Sequence, residues 1–241
     1  MIQNAGQKRF WMNSKMENWG VFRSKSRSSK MGKREELWQQ KLQSMTVYER
    51  PYWERGELVA GIDEAGRGPL AGPVVAACVV MDPRDLILGI DDSKKISEKR
   101  REAFYDIILE KAVDCSVYIV DNKVIDEINI LNAARQAFEK ALAGLKVQPS
   151  YIYTDAMDID TDIPYTPLIK GDAKVYTIAA ASIVAKVTRD RIMREYDKKY
   201  PGYLFAKHKG YGTKEHYAAI RSYGILDIHR RTFLRKFLQN D

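Results

Sequence analysis

Apolar and polar positions along the 241-residue chain fall into blocks whose period switches between that of strands and that of helices. Residues 58–62 (Leu-Val-Ala-Gly-Ile) form an apolar run shortly after Gly56, and a second run, 74–81, opens after Pro73. Short apolar runs punctuated by Gly and Pro read as buried strands. Residues 115–120 predict a third strand, and 151–154 and 167–169 predict two shorter ones. Between them the period changes. Ser97, then Glu98 and a charged stretch to Lys111, predict a capped helix. Asp121 is placed to cap another, in which Leu131, Ala134, Phe138, Ala141 and Leu145 recur by three and four and mark one buried face. A long helix is expected over about residues 175–196, where Ala179, Ala180, Ala181 and Ala185 allow close approach to a sheet. Two further helices are expected, one capped by Thr213 and one near the C-terminus. Strands interleaved with helices imply an α/β layer architecture.

The front of the chain has a different pattern. Over residues 34–45, Leu37, Trp38, Leu42 and Met45 recur near helical spacing and predict a short amphipathic helix, followed by a linker interrupted at Pro51. Residues 1–33 show little apolar periodicity, are dotted with serine, and hold eight Lys and Arg against Glu17 alone. The expected organisation is a disordered basic leader (1–33), a helix and linker (34–56) and a main domain (57–241). Charge changes meaning on this division, because almost all of the net +8 sits in the leader and the rest is nearly neutral. The leader is open to three readings: a nucleic-acid-binding tail, a transit-like peptide, or sequence upstream of a start at Met31. With 45% apolar residues and no apolar run near the roughly 20 residues of a membrane span, the chain is expected to be soluble and to have no membrane partner. Cys78 and Cys115 supply neither a disulfide framework nor a zinc set, and are expected to be reduced core thiols of a cytoplasmic protein.

Asp63 and Glu64 directly follow the first apolar strand, Asp155 follows Tyr151-Ile152-Tyr153 closely, and Asp172 follows Leu168-Ile169 after two residues. Acids at three strand ends would crowd carboxylates on one sheet edge, where a divalent cation relieves their repulsion. Oxygen ligands suit magnesium or manganese. Adjacent strand residues point to opposite faces, so Asp63 and Glu64 can serve one site only if the strand ends or distorts there. The glycines of Gly66-Arg67-Gly68-Pro69-Leu70-Ala71-Gly72 are spaced G-x-G-x-x-x-G and follow two acids, which argues against a dinucleotide-binding turn. They suit a backbone that approaches a ligand closely and tests for a small group such as a hydroxyl.

The stretch from Gly61 to Val75 resembles the signature of the ribonuclease HII family, bacterial type 2 ribonucleases H. Further matches follow in order: Asp92-Ser93-Lys94-Lys95, Ile128-Asn129-Ile130-Leu131, Lys170-Gly171-Asp172, residues 180–190, and Gly210-Tyr211-Gly212-Thr213. The likeness spans about residues 35–235. It implies a ribonuclease H-like fold, a mixed five-stranded sheet flanked by helices with a helical C-terminal region. Asp63, Glu64, Asp155 and Asp172 would be the catalytic, metal-binding acids, though Asp158 competes with Asp155 because Asp158, Asp160 and Asp162 crowd that loop. The resemblance implies two-metal-ion hydrolysis with magnesium or manganese. Cleavage would fall on the 5′ side of ribonucleotides in RNA–DNA hybrids and of single ribonucleotides in duplex DNA, leaving a 3′-hydroxyl and a 5′-phosphate. Gly66, Arg67 and Gly68 would read the 2′-hydroxyl, and Tyr211 would stack on the neighbouring deoxyribose.

Ser93 and Lys94 suit phosphate contacts, and Ser182 and Lys186, one helical turn apart, share a face that could meet substrate backbone. Lys186 and Asp190 also fit an i, i+4 salt bridge. His208, between two lysines, could lie near substrate phosphate, whereas Arg230, Arg231, Arg235 and Lys236 read as a solvated helix face. A ribonuclease HIII would share fold and metals but differ in its glycine motif. A non-catalytic nucleic-acid-binding protein could lose an acid of the set, and all four are present. A monomer is expected.

Overall fold

The computed structural model describes residues 32–239, and in it the two longest apolar runs lie side by side at the centre of a five-stranded sheet. Strand β1 (Val59–Ala65) pairs antiparallel with β2 (Val74–Met81), which pairs antiparallel with β3 (Ala112–Val120). On its other side β1 runs parallel to β4 (Tyr151–Asp155), and β4 parallel to β5 (Tyr165–Leu168), so the order is β3-β2-β1-β4-β5. This is the expected mixed sheet. Residues 1–31, most of the basic leader, lie outside the described residues.

Helices cover both faces, which is why the central strands are apolar at nearly every position. In chain order they are α1 (Lys33–Met45), α2 (Arg50–Trp53), α3 (Glu98–Lys111), α4 (Asn122–Ile128), α5 (Ile130–Ala143), α6 (Tyr176–Lys199), α7 (Phe205–His208), α8 (Lys214–Tyr223) and α9 (Arg231–Leu238). Val59, Ala77, Val79, Met81 and Tyr153 point into one apolar layer with residues of α3 and α6, and Met45 and Trp53 close it from the N-terminal side. Ala60, Ile62, Ala76, Cys78, Val80 and Ile152 point into the other, against Ala134, Phe138 and Ala141 of α5. Each fully buried Ile or Phe here contributes about 1.5–3 kcal/mol. A third cluster joins Leu70 and Ala71 to Met193, Phe205, Ile220 and Leu234 of the C-terminal helices. The alanines of α6 let it come so close that a Cβ on Gly61 would overlap the Thr177 backbone. Cys78 and Cys115 belong to opposite layers and are free thiols; burial pushes Cys115 up to about 12.

Three expectations are revised. Strand β1 continues through both acids to Ala65 in unbroken register with β2. The helix capped by Asp121, which accepts from Lys123 N and Val124 N, stops at Ile128. Asn129 there takes φ 68° with ψ 165°, a positive-φ backbone outside the left-handed helical region, and its side chain caps α5 by accepting from Leu131 N and Asn132 N. Leu131 therefore lies in the first turn of a new helix and is 48% exposed rather than part of the buried face, and Leu145 lies past its end. Ser97 occupies the N-cap of α3 but its hydroxyl makes no capping bond.

Candidate active site

Strand parity decides which acids meet. Residues two apart on a strand share a face, so Asp63 follows Val59 and Gly61 toward α6, and Asp155 follows Tyr153 toward the same layer. Parallel pairing of Ile62 with Thr154 sets the next residues of the two strands, Asp63 and Asp155, side by side. Asp172 arrives in a 3₁₀ turn, Gly171–Ala173, immediately before α6, and Gly171 N donates to Asp155 Oδ1 at 2.7 Å. One carboxylate oxygen from each of Asp63, Asp155 and Asp172 lies within 4.8 Å of the others. Asp158 is exposed and outside this cluster.

Glu64 follows Ala60 and Ile62 by parity and is not in the cluster, because β1 neither ends nor distorts at the acid pair. It still feels the charge of Asp155. Its Oε1 lies 3.4 Å from Arg67 Nη1, while its Oε2 is buried with no hydrogen-bond partner among the described residues.

Burial, then the negative charges of Glu64, Asp155 and Asp172, push the Asp63 carboxyl well above the usual range; the Glu64 N–H, 2.7 Å away, offsets this only in part. Burial raises Glu64 to about 7, against the opposing pull of Arg67. Burial and then the neighbouring Asp92 and Asp155 raise Asp172, with Lys94 Nζ at 3.6 Å opposing them. Clustered oxygens, an orphaned buried carboxylate oxygen and acids that resist ionisation together are the donor set a hard divalent cation satisfies, since its charge reverses every one of these penalties.

Beside the acids, the loop from Gly66 to Pro73 is held by two buried guanidiniums. Arg189 donates to the carbonyls of Pro73, Ala71 and Lys209, and Arg230 to those of Gly66, Arg67 and Gly72, at 2.6–3.1 Å. Burial pulls them down to about 10 and about 9 respectively. Gly66 takes φ 103° and a Cβ there would overlap Arg189 and the Pro73 carbonyl, so glycine is required. Leu70 N donates to Gly210 O, locking this loop to the one carrying Tyr211, and Arg230 N donates to Leu70 O, tying it to the start of α9. Tyr211 is 45% exposed, and its Cε1 would lie 3.5 Å from a Cβ on Gly68.

The chain's three histidines brace the Tyr211 loop from behind. Leu226 N donates to His229 Nδ1, so His229 carries its proton on Nε2 and gives it to His216 Nε2 at 3.0 Å; His216 Nδ1 then donates to Tyr211 O. His208 Nδ1 accepts from Gly210 N. His208 is thus a buried support rather than a phosphate neighbour, and Arg230, 0% exposed, is no part of a solvated face. The hydrogen bonds of these buried groups are invisible to a pattern of charges.

The remaining candidates are spread out. The Lys94 side chain is open to solvent above Asp172. Ser93 is buried, with its carbonyl accepting from Arg101 Nη1 at 2.9 Å. Lys186 pairs with buried Asp190 at 2.6 Å, and Asp190 also faces Arg101. Ser182 is buried against the sheet and its hydroxyl donates to Ala179 O of its own helix, so it does not share an open face with Lys186.

The family model described as Ribonuclease HII matches residues 60–236. Among curated proteins, a ribonuclease HII of Acetivibrio thermocellus is 54% identical over 196 residues, covering 80% of this chain and 77% of that one. A ribonuclease HII of Bacillus cytotoxicus is 48% identical and covers 97% of this chain and 92% of its own, so that match reaches into the basic leader. Among solved structures, the ribonuclease H2 of Pyrococcus horikoshii superposes with a TM-score of 0.65 at 30% identity, covering 76% of this chain and 98% of the other.

Proposed function

The chain belongs to the ribonuclease HII family, and as a ribonuclease H type endonuclease we propose that it cuts on the 5′ side of ribonucleotides in RNA–DNA hybrids and at single ribonucleotides in duplex DNA. The products are a 3′-hydroxyl and a 5′-phosphate. The observation that carries this reading is the cluster of Asp63, Asp155 and Asp172 oxygens beside a glycine loop that lies against an exposed tyrosine.

Asp63, Asp155 and Asp172, with Glu64 contributing its unpartnered oxygen, would hold magnesium or manganese ions. Such ions, when bound, would supply Lewis-acid activation of a water and neutralisation of charge on the departing 3′ oxygen. The chain itself positions, with little covalent chemistry to do. Lys94 offers its ammonium to the substrate phosphate near Asp172, and Lys186 offers a second cation farther along. The Gly66–Gly68 backbone approaches the sugar without a Cβ in the way and reads the 2′-hydroxyl, which is what separates RNA from DNA. Tyr211 stacks on the next sugar and selects deoxyribose at the junction. Backbone held by Arg189 and Arg230 costs no reorganisation when substrate arrives.

The test is incision of a duplex carrying one ribonucleotide, with Mg²⁺ or Mn²⁺, by the wild type and by Asp63→Asn. The variant is expected to lose about a thousandfold, because charge stabilisation at the reacting phosphate is worth several kcal/mol and each 1.4 kcal/mol is about tenfold. Equal cutting by both proteins overturns the proposal.

A further inference from the structure

The family match begins at residue 60, yet residues 41–53, ahead of it, touch the turn that carries Asp172, the first turn of α6 and the strand that ends in Asp155. Lys41 Nζ in α1 donates to Ala173 O at 3.2 Å, inside the turn that carries Asp172, and pairs at 3.3 Å with Asp91, whose neighbour Asp92 bears on the Asp172 carboxyl. Glu49, 0% exposed, accepts from Thr177 N at 2.9 Å and from the Thr177 hydroxyl at 3.2 Å. Helix α6 has no side-chain cap of its own at Val175, so Glu49 satisfies a free N–H of its first turn from a distance. Thr177 is also where α6 meets Gly61, two residues before Asp63. On the strand that ends in Asp155, Tyr153 Oη donates to Tyr48 O at 3.1 Å and the rings of Tyr151 and Tyr52 pack at 4.6 Å.

We propose that this segment is part of the active-site scaffold, with Glu49 and Lys41 as positioning residues that set Asp172 and the α6–β1 joint against Asp63 and Asp155. The inference rests on the metal reading of those three carboxylates. Neither residue touches the reacting groups; each acts through a backbone atom that a metal ligand depends on. Their removal loosens the cluster rather than deleting a ligand, and outer partners of this kind typically set about 10–100-fold of metal affinity.

The experiment is calorimetric titration of Mn²⁺ into the full-length, metal-free protein, with a melting temperature recorded for every variant. Glu49→Ala is expected to bind Mn²⁺ about tenfold more weakly, while Glu49→Gln, which keeps an acceptor oxygen for Thr177, stays close to the wild type. Lys41→Met, a change at a half-buried side chain, is expected to weaken Mn²⁺ several-fold and serves as the deciding variant if Glu49→Ala does not fold. Met45→Ala opens a cavity in the same segment but leaves both tethers intact, so it should lower the melting temperature without weakening Mn²⁺. Wild-type affinity in Glu49→Ala or in Lys41→Met overturns the proposal, as does an equal loss in Met45→Ala at matched loss of melting temperature. Absence of Mn²⁺ uptake by the wild type itself instead sinks the metal reading beneath it.

Discussion

At the scale of single residues, the site is built from groups that are costly to bury. Asp63 is 5% exposed and surrounded by three other acids. Asp63→Asn should therefore raise the melting temperature of the metal-free protein, by about 2–4 °C for each kcal/mol of relieved repulsion, while removing Mn²⁺ uptake. A lower melting temperature would contradict the electrostatic account. Arg230 carries the reverse risk: its side chain donates to three carbonyls, and an orphaned buried acceptor costs about 1–3 kcal/mol. In Arg230→Met the stability should fall and kcat/KM on a single-ribonucleotide duplex should fall further, with Mn²⁺ affinity nearly unchanged; calorimetry beside kinetics separates the two. The three clustered acids were legible in the sequence because polar residues beside apolar runs are conspicuous, whereas the sequence set Glu64 with them and the structure leaves it outside the cluster. Arg189, Arg230 and Glu49 were not legible, because a buried polar group satisfied by distant backbone has no local signature, and neither was the half-buried Lys41, whose partners lie far along the chain. Asp155 was preferred to Asp158 because it directly ends an apolar run, and the register of β4 beside β1 supplies the geometric reason that a list of nearby acids does not contain.

Between elements, two buried titrating groups of opposite sign mark the joints that hold the site. Burial raises Glu49 from 4.5 to about 7, where it faces Tyr153 and Tyr176 as well as Thr177. An acid with a raised folded pKa stabilises below its unfolded value and loses that contribution as pH rises through the folded one. Glu49→Gln should flatten the decline in melting temperature between about pH 4.5 and 7. Burial lowers His216 and His229 from 6.5 to about 4. Their contribution is present above pH 6.5 and is lost as pH falls toward 4, because the unfolded chain takes up protons first. Replacing His216 with Gln should reduce the acid sensitivity of melting in that window; an unchanged slope would remove the neutral relay from the account. Helix and strand order were readable from periodicity. The break at Asn129 was not, since one asparagine at positive φ leaves the spacing of the apolar residues around it unchanged. The continuation of β1 through Asp63 and Glu64 was also missed, because two acids look like a strand end when the α6 cover above them is unknown.

On the scale of the whole molecule, charge and site are separate. Most of the net +8 lies in residues 1–33, while the acids, the glycine loop and Tyr211 belong to the stretch that matches the family. On the proposed function, affinity for a polyanion would then come from a few placed cations and bound metal. We propose that a protein beginning at Met31 keeps its incision rate and loses mainly salt-sensitive, nonspecific binding, which filter binding across a salt series would read as a smaller slope. The central claim, that a carboxylate metal cluster works beside a backbone reader of the 2′-hydroxyl, is tested most directly by mapping the cut in an end-labelled DNA duplex carrying one ribonucleotide. A single incision on its 5′ side, leaving 3′-hydroxyl and 5′-phosphate ends and absent from the all-DNA duplex, is the predicted result. Cutting of the all-DNA duplex at a comparable rate, or a cut on the 3′ side, would contradict it.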